Sequence, residues 1–242
     1  MKIICTICAR GGSKGLKNKN IRELHGMPLI AYTIKQAQSA NIFDAISVSS
    51  DSKEILNVAQ NYEVNYLIKR PQGLATDKAS KLMSIIHCFQ ATEKITGQRY
   101  DVIVDLDVTS PLRSTDDIKN VVDLLQGDKV SNVITGVPAR RSPYFNMVEL
   151  NENGIASLPK KPANKYFRRQ DSPPCYDMNA AIYVWKRECL LQNSDSIWNE
   201  GTRLYVMSED SMDIDSELDF EMVEFLMKRK KPYKIDYLVL TR

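Results

Sequence analysis

The chain has no apolar run long enough to span a bilayer. Its opening, Met1 and Lys2 followed by an apolar stretch to Cys8, lacks the basic, apolar and cleavable succession of a signal peptide. A cytoplasmic protein with no membrane association is expected. The five cysteines, Cys5, Cys8, Cys88, Cys175 and Cys189, are odd in number and scattered, which excludes a disulfide framework and suits reduced thiols. Cys5 and Cys8 lie in an apolar strand, and no second Cys or His pair completes a zinc site, so core packing is expected of them. Only two histidines are present, His25 and His87, and no Ser-His-Asp arrangement is evident. The net charge of +3 is too small to imply a nucleic-acid partner. The one basic run also lacks interleaved aromatics. There is no internal repeat and no low-complexity linker.

What is present is a full core, with 43% of 242 residues hydrophobic, and a rhythm of strands and helices. Lys2 to Cys8, Ala45 to Ser50, Val64 to Ile68, Tyr100 to Asp107 and Ser131 to Val137 read as buried strands. Between them run helical stripes: Ile30, Ile34 and Ala37 after Pro28; Ile55 and Ala59 after a cap at Asp51; Leu82, Ile85, Ile86 and Phe89; and Ile118, Val121, Val122 and Leu125. This is an α/β pattern: a Rossmann-like, mostly parallel sheet with helices on both faces. After Pro138 the rhythm breaks. Residues 140–175 carry no helical stripe and hold a hairpin with Asn153-Gly154 as its turn, so they are expected to form a protruding arm or lid inserted in a single 1–242 domain. Ala180 to Trp185 and Arg203 to Met207 return as strands. Leu218, Met222, Phe225 and Leu226 predict a closing amphipathic helix.

Ligands of open α/β sheets bind outside the carboxyl ends of the strands, and four unusual segments fall there. The first, Cys8 to Asn20, holds Gly11, Gly12 and Gly15 with Arg10, Lys14, Lys17 and Lys19, and no acid. Glycines let a ligand approach backbone N–H groups, and the cations add full charge, so phosphate binding is favoured over a solvated turn. The segment fits neither the Walker pattern nor Gly-x-Gly-x-x-Gly. The others are KRPQGLATDKAS (Lys69 to Ser80), DLDVTSPLR (Asp105 to Arg113) and DSMDIDSELD (Asp210 to Asp219). Asp213 and Asp215, two apart, face one way in an extended stretch and suit Mg²⁺ completed by phosphate oxygens; the plainer role is capping a helix that begins near Ser216. Asp105 and Asp107 make a second such pair, equally suited to a strand-end turn.

Together ARGGSKGLKNKNI, KRPQGLATDKAS, TSPLR, RRQDSPPCYDMNAAIYV and DIDSELD span nearly the whole chain, and it resembles the acylneuraminate cytidylyltransferase family, the CMP-nonulosonate synthetases. The resemblance implies CTP and an acidic nine-carbon 2-keto-3-deoxy sugar as substrates, Mg²⁺ as cofactor, and a homodimer formed through the 140–175 arm. It places Arg10, Gly11, Gly12, Ser13 and Lys14 at the triphosphate, with Asn20, Arg70 and Ser80 around the nucleoside. Arg10, Lys14 and Asp215 would carry catalysis, and Asp213 and Asp215 the metal. Asp107, Arg169, Gln170, Asp177, Asn179 and Tyr183 would face the sugar. Two departures stand out: Asp107 replaces a glutamine, and Asp177 an arginine, of the sialic-acid enzymes. This wording is more similar to enzymes that activate legionaminic acid. Sialic acid, pseudaminic acid and a non-catalytic nucleotide-binding regulator are the alternatives.

Overall fold

The first strand, β1 (Ile3–Cys8), is buried along almost its whole length, which a central parallel strand requires. The computed structural model describes residues 1–12, 15–161, 166–207 and 212–229. A two-stranded ribbon, β2 (Glu23–Leu24) and β3 (Met27–Pro28), leads into α1 (Leu29–Ala40). Then follow β4 (Ala45–Ser50), α2 (Lys53–Asn61), β5 (Tyr66–Lys69), α3 (Lys81–Thr96), β6 (Val102–Leu106), α4 (Thr115–Leu125) and β7 (Asn132–Pro138). A hairpin of β8 (Glu149–Leu150) and β9 (Ala156–Ser157) precedes β10 (Tyr176–Lys186), α5 (Arg187–Gln192), β11 (Thr202–Val206) and α6 (Glu217–Arg229).

Seven strands form one sheet in the order β11-β7-β10-β6-β1-β4-β5. All its pairings are parallel except those of β10, which runs antiparallel to both β6 and β7. The period of two along each strand divides the core. Ile3, Cys5 and Ile7 pack with α1, α2, α4 and α6 on one face, and Ile4 packs with α3 and Leu190 of α5 on the other. The chain leaves β1 toward β4 and β5, then returns to β6 on the opposite side of β1. That switch of direction opens a crevice beyond the ends of β1 and β6.

Arg113 ties this region together. Its side chain is 0% exposed. Its guanidinium donates to the carbonyls of Asp107 (2.7 Å), Ser110 (2.9 Å) and Ala181 (3.0 Å) and to the hydroxyl of Thr33 (2.7 Å). The loop after β6, the strand β10 and the helix α1 thus share one donor group. Ser114 and Asp117 then close a reciprocal cap at the start of α4.

Several local expectations are corrected. The cap of α2 is Ser52, whose hydroxyl accepts from the N–H of Ile55, not Asp51. The hairpin loop is longer than Asn153-Gly154: Glu149 pairs with Ser157, and the Asn151 side chain accepts from the N–H groups of Asn153 and Ile155. In α6 the buried residues are Phe220 and Val223, while Leu218, Met222 and Phe225 face outward. The hairpin forms a small sheet of its own, apart from the main one.

Replacing Arg113 by leucine would leave four acceptors without their donor in a dry interior. The expected cost is roughly 3–5 kcal/mol, read from urea unfolding. A loss below about 1 kcal/mol would show that those acceptors find other partners.

Candidate active site

The stretch after β1 is held from both ends. The amide of Asn20 donates to the carbonyl of Arg10 at 2.9 Å, and the Gly11 N–H donates to Asp51 at 2.9 Å. This bond is the role that Asp51 takes in place of capping. Gly15 lies against the backbone of the last acidic segment: a Cβ there would stand 2.3 Å from the Asp215 carbonyl oxygen. Only glycine fits without a shift of the chain. The Lys19 ammonium donates to Asp215 at 2.9 Å and to the carbonyl of Ile214. Ile214, fully buried, donates its N–H to the Thr109 carbonyl at 2.9 Å. Loop and acidic segment are therefore one assembly.

A cleft of about 420 Å³ opens at the crevice, within the range of small-molecule sites. All four segments read from the sequence contribute to its walls. Arg10, Gly15, Lys19 and Asn20 come from the first, Arg70 and Asp77 from the second, Asp107 and Thr109 from the third, and Asp215 from the last. Lys81 and Ser84, in the first turns of α3, complete it. Arg10 pairs with Asp77 at 2.8 Å, and buried Arg70 donates to the Ser49 hydroxyl and carbonyl.

The β6 end of the cleft is the most strongly charged. Lys81 donates to Asp107 at 2.6 Å, lies 3.4 Å from Asp105, and sits 4.5 Å from the centre of the Tyr183 ring. Burial opposes the charge on Lys81, but Asp107 and Asp105 outweigh it and raise its pKa. Burial also pushes the Asp107 carboxyl upward. The Lys81 ammonium and the N–H and hydroxyl of Thr109 reverse this and hold it at about 2. Asp105, buried and also facing Asp107, is raised despite Lys81. Its Oδ1 accepts from Thr6, and its Oδ2 has no hydrogen-bond partner.

The expected site residues are divided between the cleft and other places in the fold. Arg10, Asn20, Arg70, Asp107 and Asp215 line the cleft, and Tyr183 lies under Lys81. Asp213 is bonded to the Ser110 hydroxyl, and burial together with Asp107 raises its pKa. Gly12 has open space around it, and Ser80 is exposed at the start of α3. Arg169 and Gln170 are elsewhere: they border a separate hollow at the base of the arm, where Arg169 donates to the carbonyls of Ala139 and Arg140. Asp177 is exposed and accepts from the Arg140 N–H at 3.4 Å. Asn179 is buried in the sheet, where it accepts from Thr135 and donates to Met207. Ser13 and Lys14 lie outside the described residues. Asp107 Oδ1 accepts from the N–H and hydroxyl of Thr109, and its Oδ2 accepts from Lys81.

Sequence reading missed Lys81 and gave Lys19 no partner. Lys81 directly follows the second segment, and the adjacent carboxylates Asp105 and Asp107 needed a countercharge. That need was the available signal. The helix cap at Ser216 is made with Asp219, which accepts from the Ser216 N–H and hydroxyl. Capping therefore does not use the carboxylates of Asp213 or Asp215.

Comparison with known proteins follows the same outline. A family model described as cytidylyltransferase matches residues 4–234. A Campylobacter jejuni protein named CMP-N,N'-diacetyllegionaminic acid synthase is 46% identical over 95% of this chain and 96% of its own length. A Campylobacter coli protein named post-translational flagellin modification protein B is 43% identical over 98% of this chain and 99% of its own. A solved structure of a CMP:2-keto-3-deoxy-manno-octonic acid synthetase complexed with CTP shares the fold, with a TM-score of 0.69 at 17% identity. It covers 96% of this chain and 100% of the other.

The low pKa of Asp107 has a consequence for stability. A carboxyl held below its ordinary value of 3.8 stabilises the fold above that pH, and the gain is lost as pH falls through about 2. Wild type should exceed Asp107→Asn in unfolding free energy by about 2 kcal/mol at pH 7. Denaturant curves between pH 7 and pH 2 should show the difference shrinking below pH 4. A difference independent of pH would contradict the ion pair.

Proposed function

The chain belongs to the cytidylyltransferase family, and from that premise we propose that it condenses CTP with legionaminic acid, giving the CMP-sugar and pyrophosphate. It is a nucleotidyltransferase; the nine-carbon sugar and its identity are the proposal. The observation that carries it is the polar cleft where segments from the glycine loop, β5, β6 and the start of α6 meet at the sheet's switch point. The 46% identity to a protein named for diacetyllegionaminic acid supports the choice among acid sugars.

In this reading the cytidine lies near Asn20 and Arg70, and the triphosphate runs along the glycine loop toward Arg10, Lys14 and Lys19. The C2 hydroxyl oxygen of the sugar forms the new bond to the α-phosphorus as the bond to pyrophosphate breaks, and the hydroxyl proton passes to solvent water. The cations offset the negative charge that gathers there. Arg10 and Lys19 are held by Asp77 and Asp215, each a pairing that triphosphate oxygens are suited to replace.

Asp213 and Asp215 fit Mg²⁺. They are hard oxygen donors on either side of buried Ile214, and the raised pKa of Asp213 marks a carboxylate that a cation would relieve. Among the described residues no cluster of three or more His, Cys, Asp or Glu forms a metal cage, so phosphate oxygens and water would complete the shell. When bound, the metal would supply positive charge to the phosphates. Asp215 lines the cleft and Asp213 stands behind it, beside Ser110.

The homodimer is part of the proposal, with the 140–175 arm as its contact. The arm carries Val148, Leu150, Ile155 and Phe167 exposed, the last at 85%, which favours a partner surface. Arg169, outside the cleft of its own chain, would then act across that contact. A single catalytic domain and a cytoplasmic location, in keeping with five free thiols, complete the reading. No helix among the described residues is long and apolar enough to cross a membrane.

Pyrophosphate release from CTP, measured with legionaminic, N-acetylneuraminic and pseudaminic acids in turn, tests the function. The highest kcat/KM is expected with legionaminic acid. Preference for another of the three would reassign the sugar, and no release with any would overturn the reading. Asp215→Asn should lower kcat by on the order of a hundredfold at saturating Mg²⁺, with little change in metal-free CTP binding. A normal turnover number would remove Asp215 from the metal site.

A further inference from the structure

The β6 end of the cleft holds a group that neither the sequence segments nor the family comparison singled out. Lys81 is the first residue of α3, and its ammonium is placed by three neighbours. Asp107 Oδ2 accepts from it at 2.6 Å, Asp105 Oδ2 lies at 3.4 Å, and the Tyr183 ring lies beneath it at 4.5 Å. The side chain is still 37% exposed and forms part of the cleft wall. Asp107, its partner, is partly committed elsewhere, because Oδ1 accepts from the N–H and hydroxyl of Thr109. A substrate that reaches this wall therefore meets the Lys81 ammonium beside a carboxylate whose two oxygens already accept hydrogen bonds.

The charge balance narrows what that donor recognises. One ammonium stands against two carboxylates, so the cluster has no positive charge left over for an acid group of the substrate. Arg10, in contrast, follows β1 on the other side of the cleft, where the proposed reading puts the triphosphate. An ammonium of this kind still has an N–H to give, and a neutral carbonyl oxygen accepts it without adding negative charge. Resting on the proposed acid-sugar reading, we infer that Lys81 is a specificity-determining residue that donates to the amide carbonyl of an acylamino substituent on the sugar. Asp105 and Asp107 act through it: they fix the ammonium over Tyr183 and keep it protonated. A donor positioned in this way discriminates against an analogue that lacks the acceptor, since the N–H is left without a partner.

The test compares two substrates and three proteins in steady-state kinetics with saturating CTP. One substrate is a di-N-acylated nonulosonic acid; the other is the deaminated nonulosonic acid with hydroxyls in place of both acylamino groups. For Lys81→Met, kcat/KM on the acylated sugar should fall by about thirtyfold, against about threefold or less on the hydroxylated one. The KM for CTP should stay close to wild type. Lys81→Gln, which keeps an N–H without the charge, should recover part of the preference. Equal losses on both sugars, or a loss expressed in the KM for CTP, would overturn the inference and leave the cytidylyltransferase reading intact. A wild type inactive on both sugars would overturn that reading, and the inference with it. If Lys81→Met does not fold, the preference ratio of Lys81→Gln decides on the same terms: a ratio equal to wild type refutes the role, and a reduced one supports it.

Discussion

The cleft depends on one topological constraint: β1 and β6 end side by side, with the chain leaving in opposite directions from them. Every segment with chemistry is delivered to that point by a strand or by a contact with one. Arg113 makes the arrangement rigid, because a single planar donor group binds the loop after β6, the bulged part of β10 and a hydroxyl of α1. The last acidic segment is brought in by the Ile214 to Thr109 backbone bond and by Gly15, whose missing side chain lets Asp215 approach.

On this frame the charges are arranged as pairs. Arg10 has Asp77, Lys19 has Asp215, and Lys81 has Asp107 with Asp105 behind it. Such pairing keeps many charges close together in a partly dry site without the penalty of isolated buried ions. It also orients cations before any ligand arrives, which is the condition under which they stabilise developing charge without reorganising. The pairs differ in kind. Arg10 and Lys81 are equally exposed, but Asp77 is 44% exposed, whereas Asp107 is 20% exposed and is also bonded to Thr109.

Much of this was legible in the sequence. The buried parallel strands announced themselves as continuous apolar runs, and α3 and α4 as stripes that the structure buries residue for residue. The convergence of four segments followed from the rule for strand ends. What was not legible depends on contacts distant in sequence. Asp51 looks like a cap because it precedes a helix, yet its partner is Gly11, 40 residues away. Leu218, Met222 and Phe225 share a helical face, but nothing in their spacing says which face of α6 meets the sheet, and the core takes Phe220 and Val223. Arg169 was assigned to the sugar by resemblance, and within one chain its guanidinium rests on carbonyls at the base of the arm. Lys81 escaped notice because a lysine before an apolar stripe is ordinary until Asp105 and Asp107 are seen beside it.

The central claim is that CTP occupies the cleft beyond β1 and β6, with its phosphates on the glycine loop. Hydrogen–deuterium exchange of the protein with and without CTP and Mg²⁺ tests it directly. Slowed exchange is expected in four separate stretches: 8–20, 69–84, 105–113 and 213–219. Protection confined to other parts of the chain, or none at saturating CTP, would contradict the account.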